Sequence, residues 1–111
     1  MPNYSRIIHF ESTTREELFN YCIDIAKANS FKVLEGNKLV GKVKLQVPLN
    51  WVSGGEVISI DLASFGPRTR VEVRSWSKIV LQIIDWGKNR RNVNQIIDEI
   101  EKKWGKHRCI Y

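Results

Sequence analysis

Residues 42–47 read Lys-Val-Lys-Leu-Gln-Val, and this strict alternation of polar and apolar side chains decides the fold class. Because successive side chains of a β-strand point to opposite faces, the segment predicts a strand that is buried on one side only. The same alternation returns downstream, where the inward residues are Ile58, Ile60, Leu62, Val71 and Val73. The sequence therefore predicts a sheet with one apolar face and one polar face.

Two amphipathic segments flank these strands. After a short apolar strand at residues 7–10, Thr13 and Glu16 fit a capping box, and apolar residues then recur at helical spacing to about Asn29. Near the other end, a stripe at i, i+3, i+4, i+7 and i+11 predicts a second helix: Val93, Ile96, Ile97, Ile100 and Trp104. Because each stripe has to be buried, we expect both helices to pack on the apolar face of the sheet.

Turn residues divide the rest of the chain. We expect a strand at residues 31–34, a turn at residues 35–38, a strand at residues 39–47, a loop at residues 48–55 and a turn at residues 65–67. The predicted order is β-α-β-β-β-β-α, an antiparallel meander with both helices on one face, in a single α+β domain spanning residues 1–111. Residues 105–111 are expected to form a frayed basic tail.

The composition restricts the class of protein. The net charge is +6 at pH 7 and the isoelectric point is near 9.6, which favours anionic partners. The first residues lack the apolar stretch of a signal peptide, and no apolar run is long enough to span a membrane. Cys22 and Cys109 show no CxxC spacing, which is typical of a reducing compartment. We therefore expect a cytoplasmic protein without a membrane partner.

Residues 85–91, Asp-Trp-Gly-Lys-Asn-Arg-Arg, are the most unusual stretch, because cations at the start of a helix oppose the positive end of its dipole. One interpretation is an anion site in which backbone N–H groups and three side chains hold a phosphate or carboxylate. Those side chains are Lys88, Arg90 and Arg91. The other interpretation, which the sequence favours, is a structural joint formed by Asp85, Gly87 and Asn89.

The polar face of the sheet is a second candidate site. Its cations and one aromatic residue could form a basic surface with a stacking platform for nucleic acid. These residues are Lys42, Lys44, Arg70, Arg74, Trp76 and Lys78. Alternatively, ion pairs with Asp61 and Glu72 account for much of the pattern.

Two further binding modes fit the predicted fold. A sheet that wraps a helix can hold an apolar small molecule, and Trp51 with Val52 would make a gate to such a cavity. A filled core is the simpler alternative. The uncovered sheet face, with Trp76 on it, could also pair with a second copy to form a homodimer.

No motif supports catalysis, a metal or a cofactor. His9 and His107 lie far apart in the sequence, outside any metal-binding spacing. Cys22 falls on the apolar stripe of the first helix, and Cys109 has no evident activating base. Gly54-Gly55 lacks the Lys-Ser/Thr that follows in a phosphate-binding loop. We therefore expect a protein that is not an enzyme.

The predicted order resembles the TATA-binding-protein-like fold and its helix-grip relatives, in which a curved antiparallel sheet packs on a long C-terminal helix. Residues 74–78 and 85–91 also resemble the ending of uncharacterised bacterial proteins, whose pattern is R-S-x-S-R followed by D-x-G-x-N-R-R. Lys78 stands where that pattern has arginine. This second resemblance covers about the last third of the chain and implies a domain of unknown function with the same architecture.

The sequence leaves three functions open. The first is a non-enzymatic binding module for an anionic ligand or an acidic protein partner. The second is a nucleic-acid-binding module that uses the basic sheet face, although DNA bending of the TATA-binding type is not expected, because the outward positions are polar rather than apolar wedges. The third is a carrier of an apolar small molecule.

Overall fold

The computed structural model describes residues 3–11, 13–48, 55–77 and 87–104. Seven elements follow one another: β1 (Asn3–Phe10), α1 (Arg15–Ala28), β2 (Lys32–Asn37), β3 (Lys42–Gln46), β4 (Glu56–Phe65), β5 (Arg68–Ser77) and α2 (Lys88–Trp104). The five strands form one sheet in the order β1-β5-β4-β3-β2, and every neighbouring pair is antiparallel. The predicted α+β order and meander are thus confirmed.

Both helices pack on the same face of the sheet. A single cluster of buried side chains joins that face to α1 and α2. Nine residues predicted to point inward are in it, each at most 2% exposed: Val43, Leu45, Ile58, Ile60, Leu62, Val71, Val73, Ile96 and Ile100. Val47 is 8% exposed, and Trp104, at the end of the α2 stripe, is only partly buried at the edge of the cluster. Because full burial of one such side chain is worth roughly 1.5–3 kcal/mol, this cluster is the main source of stability.

The N-terminus of α1 lies one residue later than predicted. Thr14, not Thr13, is the N-cap: its hydroxyl accepts the backbone N–H of Glu17 at 3.1 Å, and its own N–H donates to the Glu17 carboxylate at 3.0 Å. The Thr14 N–H bond lowers the pKa of Glu17. Thr13 is instead buried, and its carbonyl accepts the Thr69 hydroxyl at 2.9 Å. That bond ties the start of α1 to β5.

The hairpin between β2 and β3 turns later than predicted. Residues 35–37 continue β2, and the turn falls at residues 38–41. Gly41, with φ 75°, closes the turn: its N–H donates to the Asn37 carbonyl at 2.8 Å, and its carbonyl accepts from the Leu62 N–H at 2.7 Å. Gly36 lies within the strand, facing Phe19 of α1. The glycine required by the turn is therefore Gly41.

Several predicted features lie outside the described residues. These are the loop gate at Trp51 and Val52, the ambiguous segment at residues 79–84 and the frayed tail at residues 105–111. None of the helices in the described part of the chain is long and apolar enough to cross a membrane.

Substitution of Gly41 by alanine should destabilise the protein far more than the same change at Gly66. Both glycines have positive φ, which costs an L-residue roughly 1–2 kcal/mol. At Gly41 the new Cβ would also overlap the Leu62 carbonyl oxygen, whereas at Gly66 it meets nothing within 4 Å. We expect Gly41→Ala to lose about 2 kcal/mol more free energy of unfolding than Gly66→Ala. Equal losses in urea denaturation would show that the close approach to Leu62 is not a constraint.

Candidate functional site

The outer face is the face of the sheet that points away from the helices. It is formed by alternate residues of the five strands, and the strand register arranges them in rows across the sheet. Lysines and arginines outnumber carboxylates on it. The cations are Lys32, Lys42, Lys44, Arg68, Arg70 and Arg74, and the carboxylates are Glu35, Asp61 and Glu72.

Ion pairs neutralise part of the positive charge on the outer face, as one interpretation of the sequence predicted from the positions of Asp61 and Glu72. Lys42 lies 3.7 Å from Asp61 across the β3–β4 pair. The carboxylate of Glu72 forms ion pairs with two arginines of its own strand, Arg70 at 3.3 Å and Arg74 at 3.6 Å. All of these groups remain accessible to solvent, so each pair contributes at most about 1 kcal/mol.

One row in the middle of the outer face combines two cations with a hydroxyl. Lys44 is directly opposite Ser59, and Ser59 is directly opposite Arg74. We call these three residues the central row. Because adjacent strands lie about 4.8 Å apart, the Cα atoms of Lys44 and Arg74 are separated by roughly 10 Å, with Ser59 between them. Ser59 is only 6% exposed, although it points away from the helices.

The positive charge of the central row is only partly offset by its neighbours, since Glu35 of β2 lies opposite Lys44 but forms no ion pair with it. Lys44 has no ion pair with any described residue, and the side chain of Arg74 is 53% exposed. Arg74 shares its single carboxylate, Glu72, with Arg70. The Ser59 hydroxyl donates to the Asp61 carboxylate at 3.4 Å, which orients it toward the next row.

The row next to the central row is neutral. Trp76 is half-buried and lies opposite Val57, which in turn lies opposite Gln46. Val57 is only 7% exposed. A partner on the outer face thus meets the half-buried Trp76 ring next to Arg74 and the Gln46 amide next to Lys44. Lys78, the remaining predicted member of the basic surface, lies outside the described residues.

The cations at the start of α2 lie on different sides of the helix. The guanidinium of Arg90 lies over the Tyr4 ring of β1, 5.8 Å from its centre. Arg91 instead lines a depression beside Tyr21 of α1. Lys88 is the first residue of the helix and is half-buried. The structure therefore does not bring Arg90 and Arg91 together around one point.

Of the predicted joint residues, Gly87 and Asn89 are described and Asp85 is not. Gly87 has φ 74°, and its carbonyl accepts the Arg91 N–H at 3.0 Å. Asn89 is fully buried: its amide oxygen accepts the Ser75 hydroxyl at 2.8 Å, and its amide nitrogen donates to the Ser77 hydroxyl at 3.3 Å. The serines and the asparagine of the R-S-x-S-R and D-x-G-x-N-R-R pattern thus meet in one place.

Sequence reasoning missed that these bonds belong to a larger buried polar cluster. Asn92 donates to the carboxylate of Glu56 at 3.1 Å and to the Ser75 hydroxyl at 3.3 Å. Glu56 and Ser75 are both completely buried. The sequence did contain a signal for this cluster. Glu56, Ser75 and Ser77 are polar, although they occupy positions of β4 and β5 that point toward the helices. Buried polar groups need partners, and here α2 supplies them.

An open depression of about 530 Å³ lies between α1 and α2. Polar groups line it and bind one another: the Gln95 amide donates to the Asn29 side chain at 2.7 Å, and the Tyr21 hydroxyl donates to the Glu99 carbonyl at 3.3 Å. It lies outside the apolar core. It is therefore distinct from the apolar cavity that the carrier hypothesis requires between sheet and helix.

Of the cysteines and histidines considered in the sequence, Cys22 and His9 lie among the described residues. Burial raises the pKa of the Cys22 thiol to about 12, so this residue stays protonated at neutral pH. His9 stacks on Phe65 with ring centres 6.4 Å apart, and its buried Nδ1 has no hydrogen-bond partner among the described residues. In the same part of the chain, no three residues of the His, Cys, Asp and Glu types are grouped so as to hold a metal ion.

Comparison with known proteins identifies the fold. No protein-family model matches the chain, and no curated protein is significantly similar to it. The solved Aha1 dimer of Colwellia psychrerythraea is similar in structure, with a TM-score of 0.66 and 14% identity over 96% of this chain and 99% of that one. Ara h 8.0201 gives a TM-score of 0.54 and 10% identity over 94% and 96%.

A third solved structure, a DUF4468 family protein from Bacteroides ovatus, has 9% identity over 98% of this chain and 88% of that one, at a TM-score of 0.47. The first two similarities extend over nearly the whole chain at low identity, so they concern the fold. They confirm the predicted helix-grip architecture, an antiparallel sheet packed on a C-terminal helix.

Replacement of Asn89 by alanine should destabilise the protein without a change in surface charge. In a buried environment the Ser75 hydroxyl would lose its acceptor and the Ser77 hydroxyl would lose a donor, which costs about 1–3 kcal/mol for each buried group left unsatisfied. Asn20→Ala, at an exposed position of α1, serves as the matched control and should change the free energy of unfolding by less than about 0.5 kcal/mol. A similarly small effect of Asn89→Ala in denaturant titrations would contradict an anchoring role.

Proposed function

We propose that this protein is a non-enzymatic binding module whose outer face binds an acidic protein partner. The central row carries the proposal: Lys44 has no ion pair with a described residue, and Arg74 is exposed and shares its carboxylate with a second arginine. Both project from the one sheet face that the helices leave uncovered. A carboxylate of the partner could therefore contact both cations above Ser59.

The shape and charge pattern of the outer face favour a protein over a small anion. The sheet offers a broad surface, and its cations lie on β2, β3 and β5, on both sides of β4, rather than gathered in a pocket. The half-buried ring of Trp76, in the neutral row beside the central row, supplies apolar contact area. Apolar area flanked by charges is the usual composition of a protein interface.

The carboxylates on the same face favour a protein over nucleic acid. Asp61 and Glu72 lie opposite each other in the row next to the central row. They would repel the continuous negative charge of a phosphate backbone, whereas a protein can place a lysine or arginine against them. Complementary charges of both signs also fix the orientation of the bound partner.

Binding need not disrupt the fold. The ion pairs around Glu72 are exposed and weak, so Arg74 can change partner at a cost below about 1 kcal/mol. The inward side chains of the same strands stay buried, because alternate residues serve the core and the outer face. The interaction therefore uses side chains that the fold does not require.

A nucleic-acid-binding module is the second candidate, and Trp76 is the observation that favours it. Its half-buried ring lies two residues from Arg74 on the outer face. An aromatic ring beside a cation is the arrangement on which a nucleic-acid base can stack. This candidate requires an affinity for single-stranded oligonucleotides that falls steeply with salt.

Removal of either cation of the central row should weaken binding to an acidic probe. We expect Lys44→Ala and Arg74→Ala each to weaken binding of a fluorescein-labelled decaglutamate peptide by about tenfold, equivalent to about 1.4 kcal/mol, with little change in melting temperature. Fluorescence anisotropy at low salt measures the affinity. A large drop in melting temperature would instead identify these residues as structural.

Two control variants separate the outer face from net charge and from the α2 start. Lys27→Ala removes the same charge from the exposed last turn of α1 and should leave the affinity unchanged. Arg90→Ala tests the anion site predicted at the start of α2. If Lys27→Ala weakens binding as much as Arg74→Ala, the interaction is unspecific. If single-stranded oligonucleotides bind much more tightly than decaglutamate, the nucleic-acid function replaces the proposed one.

A further inference from the structure

The exposed apolar side chains of the described residues are concentrated in one hairpin. Leu39 is 87% exposed, Val40 63%, Leu34 45% and Val33 40%, all within the β2–β3 hairpin. The only other large apolar side chain exposed in the described part of the chain is Phe65, at the β4–β5 turn. Val33 and Leu34 lie near the start of β2, and Leu39 and Val40 lie in the turn that follows it. Exposed apolar side chains grouped in one hairpin indicate an interaction site.

The hairpin also forms an edge of the sheet. β2 is the last strand in the order β1-β5-β4-β3-β2, so it pairs with β3 on one side, and no other strand of the described residues lies on its far side. All six of its residues are exposed. An edge strand presents backbone N–H and C=O groups that can pair with another strand.

We infer that β2 pairs with β2 of a second copy of this chain, so that two sheets join edge to edge in a homodimer. The inference does not depend on the proposed function. It also differs from the face-to-face pairing through Trp76 expected from the sequence, because it leaves the outer face free.

The order of the charged residues along β2 makes this strand complementary to a second, antiparallel copy of itself. Lys32 and Glu35 both lie on the outer face, because they pair with Gln46 and Lys44 of β3. When two β2 strands run antiparallel about a two-fold axis between residues 33 and 34, Lys32 of each copy lies opposite Glu35 of the other. The symmetry makes two equivalent ion pairs from one lysine and one glutamate per chain.

The same register places apolar side chains together. Val33 of each copy lies opposite Leu34 of the other, so four exposed apolar side chains become buried along the two-fold axis. The register shift between Val33 and Glu35 makes Leu34 an extra residue, or β-bulge, in β2. A partner strand of different sequence would have to match both the charges and this irregularity, which a second copy does by symmetry.

The geometry has a consequence for the outer face. Opposed residues of an antiparallel pair point to the same side of the sheet, so the two-fold axis is perpendicular to the sheet. The outer faces of both copies would then lie on one side of a continuous sheet. A partner with two acidic segments could bind both, with a gain in avidity from the linkage.

A charge-swap experiment tests the inference. Sedimentation equilibrium should show a dimer of the wild-type chain. Lys32→Glu and Glu35→Lys should each weaken self-association by about tenfold or more, because like charges then face each other. The double variant carrying both changes restores two opposite-charge pairs and should recover dimerisation. Recovery in the double variant distinguishes self-pairing of β2 from any other mode of association.

Two further variants address the apolar contacts and the folded state. Leu34→Lys should produce a monomer, whereas Phe65→Ser, at the other exposed apolar residue, should leave the dimer intact. Circular dichroism melting of each variant verifies that it is folded. A wild-type chain that stays monomeric at the highest concentrations, or a dimer that Leu34→Lys and the single charge changes leave unaffected, would overturn the inference.

Discussion

Two helices cover one face of a five-stranded sheet, and the strict alternation along β3, β4 and β5 keeps that face apolar and the other polar. This constraint determines the rest of the molecule. Inward residues such as Ile58 and Val73 are fixed by packing, since any polar or smaller side chain there would open a cavity or bury an unpaired group. Outward residues are free of that requirement, so the outer face can carry a charge pattern suited to a partner.

The position of α2 depends on polar contacts as well as on apolar ones. Its stripe from Val93 to Ile100 packs on the sheet, but such a stripe alone allows a helix to slide or rotate. The hydrogen bonds of Asn89 and Asn92 with Ser75, Ser77 and Glu56 have directions, and they are buried. They fix the first turn of α2 against the ends of β4 and β5, because a small displacement would leave several buried groups without partners.

The sequence was sufficient to predict the order of the elements, the meander, most of the core residues and the side of the sheet on which the residues of β3, β4 and β5 lie. Those features follow from periodicity, which is local. Features that depend on a tertiary neighbour were missed or misplaced. Thr13 and Thr14 are equally good caps in isolation, and the bond from Thr69 distinguishes them. Gly36 and Gly41 are equally good turn residues until the contact with Leu62 is known. The central row of Lys44, Ser59 and Arg74 likewise required the strand register.

The most direct test of the division between a folding face and a binding face is a map of where an acidic partner touches the protein. Backbone amide shifts of the ¹⁵N-labelled chain, followed by NMR during titration with decaglutamate, provide that map at residue level. We predict that the largest changes fall on β3, β4 and β5 around Lys44, Ser59 and Arg74. Changes confined to the first turn of α2, around Lys88 to Arg91, would contradict the account and place the binding site at the helix start.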